Sequence, residues 1–172
     1  MLRFFVLIVC FSGAAYAVDA GHGVAEMTGS IVDTPCSIDS GDQNQTIQLD
    51  TIPIEQINRD GMGPSKSFSI RLINCILKSE HKDGLEWGRY AITFDGPRAQ
   101  NNLFKISGVA TGVALEIKDI NGNKAIPGQE MPMGTLVLGG TVLNYTIRLM
   151  PVPESLNPGA FWSHLRFKME YY

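Results

Sequence analysis

From residue 161 to residue 172 the chain alternates without a break. One face carries Phe161, Ser163, Leu165, Phe167, Met169 and Tyr171, five of the six apolar. The other carries Trp162, His164, Arg166, Lys168, Glu170 and Tyr172, four of the six polar or charged. A period of two belongs to a β-strand, because successive side chains point to opposite faces of a sheet. A strand this regular has to bury one face and pair along at least one edge.

The same period recurs upstream. Phe68, Ile70 and Leu72 share a face within 67–75, 89–94 alternates, and Val113, Leu115 and Ile117 alternate with Ala114, Glu116 and Lys118. Leu143, Tyr145, Ile147 and Leu149 form a long alternating strand that ends at Pro151 and Pro153. Weaker signals predict short strands over 27–32, ending before Pro35, over 46–49 and over 103–106. Turn signals separate them: the polar stretch 81–84, Asn121-Gly122, and the Gly/Pro-bearing stretches 53–66, 127–135 and 154–160, all read as loops. About seven to nine short strands, turns every 8–15 residues and no helix predict a single-domain β-sandwich.

Composition removes several function classes. With 44% hydrophobic residues the chain is too apolar to be disordered, and with 18% charged residues it is too weakly charged for a coiled coil. The net charge is −3 and no run of Lys or Arg exceeds one residue, so no electrostatic footprint for nucleic acid or an anionic membrane exists. Residues 61–67 hold a Gly, Pro and Lys cluster, but no Gly precedes Lys66 and the flanks are not strand then helix, so a phosphate loop is excluded. Asp119, Asn121 and Asn123 imitate the start of a calcium loop whose closing Glu is missing; a hairpin turn is the reading. No G-x-S-x-G elbow and no pairing of carboxylates is legible, so an enzyme, a catalytic residue and a cofactor are not expected.

Residues 1–17 have the form of a secretory signal peptide: Arg3, an apolar run from Phe4 to Phe11, and Ala15-Tyr16-Ala17 as a small-x-small cleavage site. The run is far shorter than the ~20 residues a membrane span needs, and no later segment is long and apolar enough to span. Cleavage after Ala17 would leave 172 − 17 = 155 residues and a net charge of 13 − 17 = −4. Cys10 leaves with the segment, so Cys36 and Cys75 remain. An even count in an exported chain implies one disulfide, worth roughly 4 kcal/mol in the chain-entropy model; the other reading is two buried free thiols. His22, His81 and His164 are too scattered to complete a zinc site.

Taken in order, four stretches resemble those of a chaperone–usher pilus subunit of the type 1 and P pilus kind, a fimbrial protein. They are Met27-Thr28-Gly29-Ser30-Ile31-Val32 followed by Pro35-Cys36; Phe68-Ser69-Ile70-Arg71-Leu72 followed by Cys75; Gly112-Val113-Ala114-Leu115-Glu116-Ile117 followed by Asp119 and Asn121-Gly122; and Gly159, fourteenth from the end, with penultimate Tyr171 closing the alternating face. Met27 stands where the family often has an aromatic, and Ser163 interrupts the apolar face.

The resemblance implies an all-β, incomplete immunoglobulin-like β-sandwich that lacks its final strand. Its groove would be lined or supported by Gly159, Phe161, Leu165, Phe167, Met169, Tyr171 and Tyr172. A periplasmic chaperone would first lend the missing strand, holding the Tyr172 carboxylate with basic residues, and an outer-membrane usher would then pass the subunit to its neighbours. Residues 1–17 would be the signal peptide, 18–28 the N-terminal donor extension and 29–172 the pilin domain. The donor side chains would be Asp19, Gly21, Gly23, Ala25 and Met27; the opposite phase, Val18, His22, Val24 and Glu26, ranks lower. The product would be an adhesive fimbria on the cell surface, a head-to-tail filament with no membrane span. The other readings are a minor, adaptor or terminating subunit and a self-complete secreted binding module.

Overall fold

The computed structural model of the chain describes residues 23–29, 34–78 and 86–172. The chain divides into two units, Met1–Val32 and Asp33–Tyr172. In the first, residues 23–29 carry no helix or strand, so the strand expected from Met27 does not begin there; its continuation over 30–32 and the signal peptide expected over 1–17 lie outside the described residues. The polar turn at 81–84 lies outside them too.

In the second unit every strand pairing among the described residues is antiparallel. In chain order the strands are β1 (Ser37–Ile38), β2 (Lys66–Cys75), β3 (Arg89–Asp95), β4 (Phe104–Lys105), β5 (Ser107–Gly108), β6 (Val113–Asp119), β7 (Gln129–Glu130), β8 (Gly134–Thr135), β9 (Gly139–Pro151), β10 (Phe161–Trp162) and β11 (Arg166–Tyr171). One sheet runs β1-β2-β9-β6-β4. A second runs β11-β3-β7, with β8 also on β3, and β5 and β10 form a small ribbon.

Register explains the core. Phe68↔Tyr145 and Ile70↔Leu143 join β2 to β9, while Ile117↔Ile147 and Leu115↔Leu149 join β9 to β6. The alternating apolar sets of three strands therefore fall on one face. Across from them β3 contributes Ile92 and Phe94, both buried in the same cluster. Phe94 meets Tyr145 edge-on, with ring centroids 5.1 Å apart. The Cys36–Cys75 disulfide forms at the end of β2, beside a bulge at Asn74. Asn74 takes a positive φ of 54°, a region Asn tolerates better than most residues.

Several expectations fail for physical reasons. Helices occur where none was expected. α1 (Ser40–Gln43) begins at Asp39, whose carboxylate accepts from the Gly41 amide. Arg71 then anchors α1 to β2, donating from its backbone amide and its Nε to Asp42, each at 2.8 Å. α2 (Ile54–Asp60) falls inside the predicted 53–66 loop. Pro53 sets its entry, Glu55 and Arg59 suit the two ends of its dipole, Ile57 is buried, and Gly61 caps it in the left-handed region. Residues 46–49 keep their alternation, with Ile47 and Leu49 half-buried, but form no ladder. Short strands β7 and β8 pair with β3 inside the predicted 127–135 loop.

The last strand is not continuous either. β10 pairs with β5 and β11 with β3, so the chain changes neighbours across 163–165. The Ser163 hydroxyl donates to the Lys105 carbonyl at 2.9 Å in this gap. Gly108 holds φ +120° beneath Ala160, where a Cβ would strike the Ala160 carbonyl oxygen.

Candidate functional site

β11 pairs with β3 along its whole length, from Arg166↔Asp95 to Tyr171↔Tyr90. Among the described residues its other edge has no ladder partner. The apolar residues of this terminal stretch, Phe161, Leu165, Phe167, Met169 and Tyr171, all pack against the core, yet every one is only half-buried. The β3 side chains paired with Phe167 and Met169, Phe94 and Ile92, are buried. Among the described residues the face is thus fixed from beneath and open along one side. An edge of this kind presents unpaired backbone groups beside apolar side chains, a template for another strand.

The row is ordered from one end to the other. Leu165 packs against Gly96, where a Cβ would come within 2.6 Å of the Leu165 side chain. Phe167 leans on Phe94, with centroids 6.4 Å apart. Tyr171 stands edge-on to Trp87 at 6.5 Å, and burial pushes its phenol pKa up. The polar face of β11 keeps its charges near solvent: Lys168 lies 2.9 Å from Glu170, and Arg166 lies 3.4 Å from Asp95. The terminal residue is tied down, since its main-chain oxygen accepts from the Gly88 and Arg89 amides, each at 2.9 Å. The Tyr172 hydroxyl donates to Glu130 at 3.2 Å.

Of the expected groove residues, Leu165, Phe167, Met169 and Tyr171 share this face, and Phe161 packs against the same core from the β5–β10 ribbon. Gly159 sits before it and packs its backbone against Val109 and Ala110, with no room for a Cβ. Of the expected donor residues, Gly23, Ala25 and Met27 lie in the segment without secondary structure, and Asp19 and Gly21 lie outside the described residues. Trp87 and Phe68 were assigned no part in this face, although both are half-buried beside it. An aromatic after a polar turn was the only sequence signal for Trp87.

A second arrangement was also missed. Glu116 is 2% exposed on β6, and Arg148 (2.6 Å), Lys124 (2.8 Å) and Lys118 (3.2 Å) converge on its carboxylate. Burial pushes its pKa up, but the three cations outweigh this and hold it at about 2. The cluster ties the outer faces of β6 and β9 together. Among the described residues no group of three or more His, Cys, Asp or Glu is placed to hold a metal, and no helix is long and apolar enough to cross a membrane.

An immunoglobulin-like sandwich with one strand edge open at its end is the pilin class of fold. The comparisons place the chain within it. A family model described as "Fimbrial protein" matches residues 25–171. The chain is 32% identical over 150 residues to the PAP fimbrial minor pilin protein of Escherichia coli, covering 87% of this chain and 77% of the relative. It is 31% identical over 164 residues to the Major MR/P fimbria protein of Proteus mirabilis (strain HI4320), covering 93% and 90%. A solved chaperone–usher pilus structure superposes with a TM-score of 0.73 at 26% identity, covering 92% of this chain and all of that one. The P pilus rod subunit PapA superposes with a TM-score of 0.72 at 24% identity, a likeness of fold, covering 81% of this chain and all of that one. The chain belongs to the fimbrial protein family, whose members are structural subunits of surface pili.

Proposed function

We propose that this subunit is completed by a strand from another molecule, first a periplasmic chaperone and then the N-terminal segment of the next subunit, so that an outer-membrane usher can build a head-to-tail adhesive filament. The observation that carries this reading is the one-sided pairing of β11, with Phe167, Met169 and Tyr171 half-buried above a sealed core. Main-chain hydrogen bonds to the open edge would supply affinity, and side chains at alternate positions would fill the spaces between the apolar groups. The donor residues in this reading are Asp19, Gly21, Gly23, Ala25 and Met27, preceded by a signal peptide over 1–17. The glycines suit a close approach of two backbones. No chemistry is performed: the site binds and holds.

The test is removal of residues 18–28 in cells that express the matching chaperone and usher. The truncated subunit is expected to accumulate with its chaperone and to enter no filament. Filaments in normal amount from the truncated chain would end the donor assignment.

A further inference from the structure

β9 runs from Gly139, paired with Cys75, to Pro151, paired with Val113. Its 13 residues set the two ends of the large sheet about 40 Å apart. Each end carries a cluster of exposed apolar side chains. At the Cys75 end these are Ile76 (57% exposed), Val137 (57%) and Leu138 (71%). Ile76 follows Cys75 and Val137-Leu138 precede Gly139, so all three lie at the Cys75–Gly139 end of the ladder. At the far end the β5–β10 ribbon presents Val109 (72% exposed) and Trp162 (54%). The Val109 amide donates to the Ala160 carbonyl at 2.8 Å, so Val109 lies opposite Ala160 and on the face that Trp162 shares. Lone exposed apolar residues are ordinary, whereas clusters of them, one with a tryptophan, are what contact surfaces are made of.

We infer that successive copies in the filament touch end to end, the Ile76–Val137–Leu138 cluster of one copy against the Val109–Trp162 cluster of the next. The inference rests on the donor-strand reading above and adds a second contact to it. Cys36 is bonded to Cys75, so the N-terminal segment departs from a copy at the Ile76–Leu138 end. Every strand pairing among the described residues is antiparallel. A strand added to the open edge of β11 in the same sense has its body-proximal end beside Arg166, the end of β11 that follows Trp162. The nine residues from Thr28 to Cys36 span at most about 30 Å, which keeps the donating body close to that end of the receiving one. Two different patches meet, so the contact is heterologous and repeats without closing, as a filament requires.

The experiment is a charge exchange in the full chain, expressed with its chaperone and usher. Filament yield is normalised to the chaperone-bound subunit, so that a folding defect cancels. Leu138→Glu and Val109→Lys are each expected to lower the normalised yield about tenfold, one decade of affinity. The double variant is expected to return within about twofold of the parent, because the two new charges face each other across the contact. Normal assembly of both single variants, or a double variant no better than the worse single one, overturns the end contact. If removal of residues 18–28 still stops assembly in that case, the donor reading stands and only the end contact is lost. A truncated chain that assembles normally overturns both.

Discussion

β9 and β11 carry the same pattern and meet different fates. In β9, Leu143, Tyr145, Ile147 and Leu149 are between 3% and 6% exposed. In β11, Phe167, Met169 and Tyr171 are half-buried, although they are just as apolar and point at the same core. The difference is the number of neighbours. β9 has β2 on one edge and β6 on the other, whereas β11 has β3 on one edge and, among the described residues, no ladder on the other. Alternation decides which face of a strand turns inward. Whether that face is sealed is decided by strands on both flanks, and among the described residues β11 has a strand on one flank only.

The sharpest break of this contrast lies in β9. Ile147→Ala is expected to cost about 4 kcal/mol, since the side chain is enclosed on both flanks and the cavity cannot collapse freely. Equilibrium urea unfolding of the purified chain measures it. A loss below about 1 kcal/mol would mean that β9 is no better sealed than an edge.

Next in size is the buried charge on the outer side of the same strand pair. The Glu116 carboxyl is held at about 2, below its ordinary 4.5. A depressed folded value means that its stabilisation is fully present above about pH 4.5 and is lost as the pH falls toward 2. A downward shift of that size corresponds to up to about 3 kcal/mol. Urea unfolding at pH 5, 4 and 3 is expected to show this fall in the parent and a flatter profile in Glu116→Gln. Equal slopes in the two proteins would remove Glu116 from the seal.

Much of this was legible because a two-sided strand obeys its own alternation: β2, β6 and β9 fall where Phe68 to Leu72, Val113 to Ile117 and Leu143 to Leu149 predict them. The apolar row of the open face was legible for the same reason. What escaped depends on partners distant in sequence. Side-chain alternation continues through 163–165 while the backbone changes its neighbour from β5 to β3, so one long strand was expected where two occur. Glu116 meets Arg148 only through the β6–β9 register, 32 positions away in sequence. α2 did leave local marks, Pro53 before it and Gly61 after it, but with seven residues and Ile57 as its one buried side chain it has too little periodicity to outweigh a Gly/Pro-rich stretch.

The smallest effect discriminates best between the two strands. Phe167 is already partly wet, so Phe167→Ala removes fewer enclosed contacts than Ile147→Ala and is expected to cost about 1–2 kcal/mol in the chain alone. Adding an excess of a peptide with the sequence of residues 18–28 should stabilise the parent, because that ligand binds the folded state only. The peptide would cover Phe167 from its open side, and the same substitution should then approach the cost of a sealed position, about 3–5 kcal/mol. Ile147→Ala should show no such change, since its flanks are occupied from the start. The measured quantity is the difference in the cost of each substitution with and without peptide. If Phe167→Ala costs as much as Ile147→Ala before any peptide is added, β11 is sealed within its own chain and the contrast between the two strands disappears.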